Sequence, residues 1–407
     1  MKKTKYMFSI YAGATPDSKN SEYWDGDIVW ITPADYKTTD KYISCGAKSL
    51  TKAGYNASNT TIVPAGSIIV SKRAPIGTVS IAEVPLCTNQ GCLSCVPNDD
   101  VDSSFAYYAL SSMSDEMQVL GAGTTFKEIS ANAFANMKIP YFPLPEQHAI
   151  VRYLDAKCAA IDEAIGRHKK IIEKLEEYKR SSIIKAVNGD ISDNTKASGI
   201  AWMPTVPSHW GVVPMRFALT QRKNKNEGLV EKNLLTLSYG KIKRKDIETN
   251  EGLLPASFEG YNIIEAGDIV LRLMDLQNDK HSLRTGLVTE RGIITSAYVT
   301  VVPTEGFDPA YCRYLLHAYD LMKVFYSMGE GVRQGLTYDD LSRTLLIPKP
   351  PIDEQSKIAS NIIKMESSVD ASIGKQNAML KKLEEYRKSI IYNAVTGKID
   401  CRTETQP

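Results

Sequence analysis

The chain has 407 residues, of which 43% are hydrophobic and 24% charged, and its formal net charge is +2. The length allows two or three domains, and the composition is that of an ordinary globular protein. The near-zero charge excludes a global basic field. Any nucleic-acid surface has to be local, built from clusters such as Arg222-Lys223-Asn224-Lys225 and Lys241-Ile242-Lys243-Arg244-Lys245.

From the N-terminus, Lys2, Lys3 and Lys5 are followed by no apolar stretch of signal-peptide length, and no run is long enough to predict a membrane span. Residues 1–143 read as a strand-rich domain. Short β-branched runs, Ser67-Ile68-Ile69-Val70 and Thr78-Val79-Ser80-Ile81, are separated by Gly, Pro and Asn, and a short helix is expected over 102–110. The seven cysteines are scattered and odd in number, which fits a reducing cytoplasm. Cys92-Leu93-Ser94-Cys95 has no second pair to complete a zinc site, so Cys87, Cys92 and Cys95 are expected in an apolar core.

Residues 144–190 predict one long helix. Pro145 suits the first turn, and apolar residues recur at Ile150, Leu154, Cys158, Ile161, Ile165, Ile172 and Leu175 in steps of four and three. Asn188-Gly189 supplies the stop. Gly166 suggests a kink. Residues 191–205 are polar and punctuated by Gly and Pro, and read as a linker. A second strand-rich domain is expected over 206–350, a second long helix over 351–399 with Gly374 as its mid-point glycine, and a disordered tail over 400–407.

The chain repeats itself. Residues 144–191 and 352–399 align without a gap, with 17 of 48 positions identical. The best stretch, Leu175-Glu176-Glu177-Tyr178 through Ala186-Val187-Asn188-Gly189, returns as Leu383-Glu384-Glu385-Tyr386 through Ala394-Val395-Thr396-Gly397. Ala65-Gly66-Ser67-Ile68 likewise returns as Ala266-Gly267-Asp268-Ile269. A period near 200 residues is far too long for a solenoid. The chain is therefore two copies of a strand-rich domain followed by a helix, in which the helices are alike and the domains are not. Each helix, at about 44 residues, reaches roughly 66 Å.

This layout resembles the specificity subunits of Type I DNA restriction–modification systems. The marks are Tyr23-Trp24-Asp25-Gly26-Asp27-Ile28-Val29-Trp30, the two Ala-Gly strands, Ile139-Pro140 to Gln147 and Ile347-Pro348 to Gln355 opening the helices, the Leu-Glu-Glu-Tyr blocks closing them, and Trp202-Met203-Pro204 to Trp210 before the second domain. The first domain lacks that Trp-bearing approach and begins near Tyr6-Met7-Phe8. The resemblance implies an α+β chain with two target-recognition domains, and two long helices packed as an antiparallel coiled coil with pseudo-two-fold symmetry. It implies a non-catalytic reader of double-stranded DNA that takes one half of a bipartite asymmetric site with each domain. It also implies two methylation subunits docked on the helices, and restriction subunits in the full complex. S-adenosylmethionine and ATP are expected on those partners, with no cofactor and no metal on this chain. A cytoplasmic location follows. The alternative reading is a coiled-coil adaptor that binds proteins rather than DNA.

DNA contacts need Lys, Arg, Asn and Gln on exposed loops. The candidates are Lys72, Arg73, Asn89, Gln90 and Lys127 in the first domain. In the second they are Arg222, Lys223, Lys225, Tyr239, Lys241, Lys243, Arg244, Arg272, Arg333 and Gln334. The repeated charges Glu176, Glu177, Lys179, Arg180 and Glu384, Glu385, Arg387, Lys388 are candidates for the docking face toward the methylation subunits. Asp308-Pro309-Ala310-Tyr311 looks like a methyltransferase motif, but an Asp N-cap followed by Pro is also a helix start. With no glycine-rich cofactor loop and no P-loop, catalysis is assigned to partners.

Overall fold

The computed structural model describes residues 1–37, 39–121, 127–189, 194–245, 257–276, 282–328 and 335–402. The chain divides into two compact units, residues 1–168 with 377–407, and residues 169–376. Each long helix thus contributes one half to each unit. The first runs Leu144–Asn188 and the second Ile352–Val395. Both remain helical through Gly166 and Gly374, and nothing lies within 4 Å of a Cβ placed at either glycine. Among the described residues, no helix is long and apolar enough to cross a membrane.

The first unit is built on a sheet in which Phe8–Ala12, Cys92–Pro97, Ile68–Ser71 and Val79–Ala82 lie side by side, all antiparallel, with Tyr42–Ile43 added in parallel at the edge. The central strands are mostly apolar and covered on both faces, with Ser71, Ser80 and Ser94 also buried. Alternation assigns the sides: Ile68, Val70, Leu93 and Cys95 join the core beneath the helix Ser103–Ser111, while Ile69, Ala82 and Cys92 join a second core with Ile31, Tyr36, Val63 and Leu86. Cys87, Cys92 and Cys95 are all buried, and burial pushes the Cys87 thiol up to about 11 and the Cys92 thiol up to about 12.

The second unit repeats this frame. Leu219–Gln221, Val299–Pro303, Ile269–Leu271 and Thr285–Leu287 stand in the same order and the same antiparallel sense. Ile269, Leu271 and Val301 face the helix Pro309–Leu321, and Val270 faces a smaller core with Leu235, Ile264, Val288 and Ile294. Asp308 is the N-cap of that helix, accepting from the Tyr311 N–H at 2.8 Å, with Pro309 in the first turn. Its counterpart Asp102 accepts from the Phe105 N–H at 2.9 Å.

Segment 191–205, expected as a linker, is not one over its described part. Thr195–Ile200 and Met203–Pro207 form an antiparallel hairpin. Ile200, Met203 and Val206 are buried in the core of the second unit together with Trp210, and this apolar set outweighs the polar composition. Cys401, expected in a disordered tail over 400–407, is buried in the core of the first unit, and residues 403–407 lie outside the described residues.

Within each unit the two helix halves run antiparallel. In the first, Ile150, Leu154, Cys158 and Ile161 share a core with Ile390, Ala394 and Val395. There Arg387 hydrogen-bonds to Asp162, while Phe142 lies against Gly397. In the second, Ile183 and Val187 share a core with Ala359 and Ile362, and the Lys179 ammonium lies 2.8 Å from Asp370 and 3.5 Å from Glu366. Residue numbers rise along one helix as they fall along its neighbour.

A buried glutamine ties each helix to its sheet. Gln147 accepts from the Asp102 N–H at 2.8 Å and donates to the carbonyls of Asp100 and Phe142 at 2.9 and 2.7 Å. Gln355 accepts from the Asp308 N–H at 2.9 Å and donates to Gly306 and Pro350 at 3.0 and 2.9 Å. Replacing Gln355 by Ala strands three buried polar groups, so the second unit is expected to lose about 2–4 kcal/mol. Denaturant unfolding read by Trp202 and Trp210 fluorescence, against Gln147→Ala read by Trp24 and Trp30, checks this.

His317 is buried on the helix Pro309–Leu321, and that burial pushes its pKa from 6.5 down to about 3. The unfolded chain therefore takes up this proton first as pH falls. Stability that is complete above about 6.5 is expected to decline toward 3 with a slope approaching about 1.4 kcal/mol per pH unit. His317→Gln should flatten that slope in a pH series of the same titrations.

Candidate nucleic-acid interface

In the first unit the frame brings five candidates to one rim. The strand Ile68–Ser71 runs out into Lys72 and Arg73. The Lys72 N–H donates to the Gly91 carbonyl at 2.9 Å, which places the turn bearing Asn89 and Gln90 alongside. The Lys72 carbonyl accepts from the Ile129 N–H at 3.0 Å, which brings in the loop that carries Lys127. Lys127 and Gln90 are exposed. Asn89 is spent on the turn, its side-chain oxygen accepting from the Gly91 N–H at 2.9 Å, and Gln90 hydrogen-bonds to Thr15.

Lys72 and Arg73 are not idle cations. Both reach Glu128, at 2.7 Å each, and the hydrogen bonds from Lys72 and then Arg73 hold that carboxyl below its usual range.

The second unit uses the same strand end. Ile269–Leu271 leads into exposed Arg272, and the Leu273 carbonyl accepts from the Leu336 N–H at 2.8 Å, as Lys72 does from Ile129. Arg333 and Gln334 precede Leu336 and lie outside the described residues. The Arg272 loop is shaped from within. Buried Arg284 donates to the carbonyls of Arg272, Met274 and Asp275 at 3.0, 2.6 and 2.8 Å.

Next to this loop stands a hairpin, Leu235–Ser238 with Lys241–Arg244, turning through Tyr239 and Gly240. Leu237 and Ile242 lie on Gly286, where a Cβ would come within 2.7 Å of Leu237 Cδ1. The opposite face carries Lys241 and Lys243, both exposed, and Tyr239 at the tip is 79% exposed. Arg244 is paired, its Nε donating to Glu290 at 2.9 Å. Lys223 is exposed, and Lys225 donates to the Gly260 carbonyl at 2.8 Å. Arg222 is the most committed: its Nη2 donates to Asp268 at 2.9 Å, and that carboxylate is itself buried.

Of the helix charges proposed for docking, Lys179 and Arg387 are the two cross-helix ion pairs described above. They occupy equivalent positions in the repeat, and so do their partners Asp370 and Asp162. Arg180 donates to the Leu321 carbonyl. Glu176, Glu177, Glu384, Glu385 and Lys388 are exposed. The identity of Asp162 and Asp370 within the repeat was the available signal for these pairs. Arg284 offers no such signal.

The model of the Type I restriction modification DNA specificity domain matches residues 1–177. That match spans less than half of the chain. The chain is 37% identical over 180 residues to the Type I restriction enzyme MjaIX specificity subunit of Methanocaldococcus jannaschii, an alignment covering 44% of this chain and 41% of that relative. A longer alignment, 23% identical over 318 residues and covering 74% of this chain and 71% of the relative, joins it to the MjaVIII specificity subunit of the same organism. In fold it is similar to a chain from a structure of type I R-M system assembly, with TM-score 0.72, 15% identity and coverage of 98% and 97%. It is also similar to the HsdS subunit from Thermoanaerobacter tengcongensis, with TM-score 0.55, 15% identity and coverage of 98% and 96%.

Glu128 occupies the cationic groups of Lys72 and Arg73. If this rim meets DNA, Glu128→Gln is expected to tighten non-specific duplex binding and steepen the log K against log salt plot by about one unit. Lys127→Ala should make it shallower by about one. Fluorescence anisotropy across a salt series measures both.

Proposed function

We propose that this chain is the DNA-reading subunit of a Type I restriction–modification complex, taking one half of a bipartite asymmetric site with each unit. One observation carries the reading. The two units share strand order, capped covering helix and glutamine tie, and differ in the chain inserted between the first and third strands of that sheet, residues 13–67 in one and 222–268 in the other. A shared frame with unlike inserts suits two related readers facing unlike sequences.

In this reading the exposed rim cations supply phosphate contacts, and the inserts supply base contacts. The exposed helix carboxylates, with Lys388, are the surface left for methylation subunits. Methyl transfer and ATP-driven steps, with S-adenosylmethionine and ATP, belong to those partners and to restriction subunits, in the cytoplasm.

Single-molecule methylome sequencing of a host carrying the gene is expected to show a bipartite adenine-methylated motif that vanishes on deletion. Exchanging residues 13–67 for those of a relative should change one half of that motif and leave the other. An unchanged motif, or methyl transfer by the isolated chain, would overturn the reading.

A further inference from the structure

We propose that Tyr239 is a specificity-determining residue of the second unit, set against a base step of duplex DNA while Lys241 and Lys243 hold the flanking phosphates. This rests on the function proposed above and deepens it.

The first ground is the backbone. Tyr239 and Gly240 are the two turn residues of a hairpin, with φ of +50° and +71°. Two positive φ values in a two-residue turn are the type I′ geometry, for which Asn-Gly is the favoured pair. Gly240 fits. A bulky aromatic at the first position is strained, where Asn would be relaxed.

The second ground is exposure. Tyr239 is 79% exposed, so the strain is not offset by burying the ring. An aromatic that is both strained and solvent-facing contributes nothing evident to folding. The third ground is support. The turn is fixed from beneath, with Arg313 donating to the Gly240 carbonyl at 3.4 Å and Leu283 closing on Gly240. The hairpin's inner face rests on Gly286, and its outer face presents Lys241 and Lys243, which form no ion pair among the described residues.

A rigid hairpin with cations along one face and an aromatic at its tip has the width and charge to enter a DNA groove. Phosphates meet the lysines, and the ring meets the bases. An acidic protein partner would need only the cations, and would leave the strained ring unexplained.

The test uses the complex assembled with its methylation subunits, on duplexes carrying the motif found by methylome sequencing. Tyr239→Asn is expected to leave the melting temperature unchanged or higher. It should lower discrimination between the correct second half-site and a single-base variant at least about fivefold, with the first half-site read as before. Lys241→Gln and Lys243→Gln should each reduce the salt slope by about one and leave the motif unchanged. Equal discrimination by Tyr239→Asn, or a drop in melting temperature with loss at both halves, overturns the inference while the function stands. A wild-type complex that marks no bipartite motif overturns both.

Discussion

A buried amide ties each long helix to the backbone of its domain. The side chains of Gln147 and Gln355 are fully buried, and each uses its oxygen and its nitrogen on three backbone groups from two segments. The oxygen takes the N–H of the very aspartate that caps the covering helix, so one residue fixes the long helix, the covering helix and the strand-to-helix connection together. In a site without water, losing any of the three bonds leaves a backbone group unpaired. The glutamine, together with the apolar packing around it, therefore fixes how the sheet meets the helix.

The candidate interface is chemically restrained. Lys72 and Arg73 share Glu128, and Arg244 holds Glu290. The Arg73–Glu128 and Arg244–Glu290 pairs are partly exposed and worth little in water, so on the proposed function a phosphate could replace the carboxylate at small cost. The Arg222–Asp268 pair differs, because separating it would leave a buried carboxylate alone. On the proposed function, the partly exposed pairs and the net charge of only +2 would both weaken indiscriminate attraction to DNA, and such a reader would depend on base contacts for its affinity more than a strongly basic one does.

How far the sequence could be read follows from the same physics. The helices were legible because a seam at steps of three and four, written twice, admits few other folds. The apolar runs around Ile68 and Ile269 were legible as strands covered on both faces. The hairpin at 195–207 was not, because its burial comes from isolated apolar residues in a polar stretch, and only the fold reveals that they converge with Trp210. The repeated charges at 179 and 387 looked like a surface for partners. Surface and seam are told apart by what stands opposite, and Asp370 and Asp162 come opposite only once the antiparallel register is known. Tyr239 was visible as a candidate between Ser238 and Gly240, but its backbone conformation was not.

Alternation within the strands explains how one frame can carry unlike inserts. Ile68 and Val70, like Ile269 and Leu271, point to the covering helix and the long-helix core, whereas Ile69 and Val270 point to the small core made by the insert. The two sides of each strand thus answer to different parts of the chain. An insert can be rebuilt together with the residues facing it, and the side that seats the glutamine and the helices is left alone. Recognition and positioning are then separable at the level of single residues, and a chain with two such units can diverge in one half without disturbing the other.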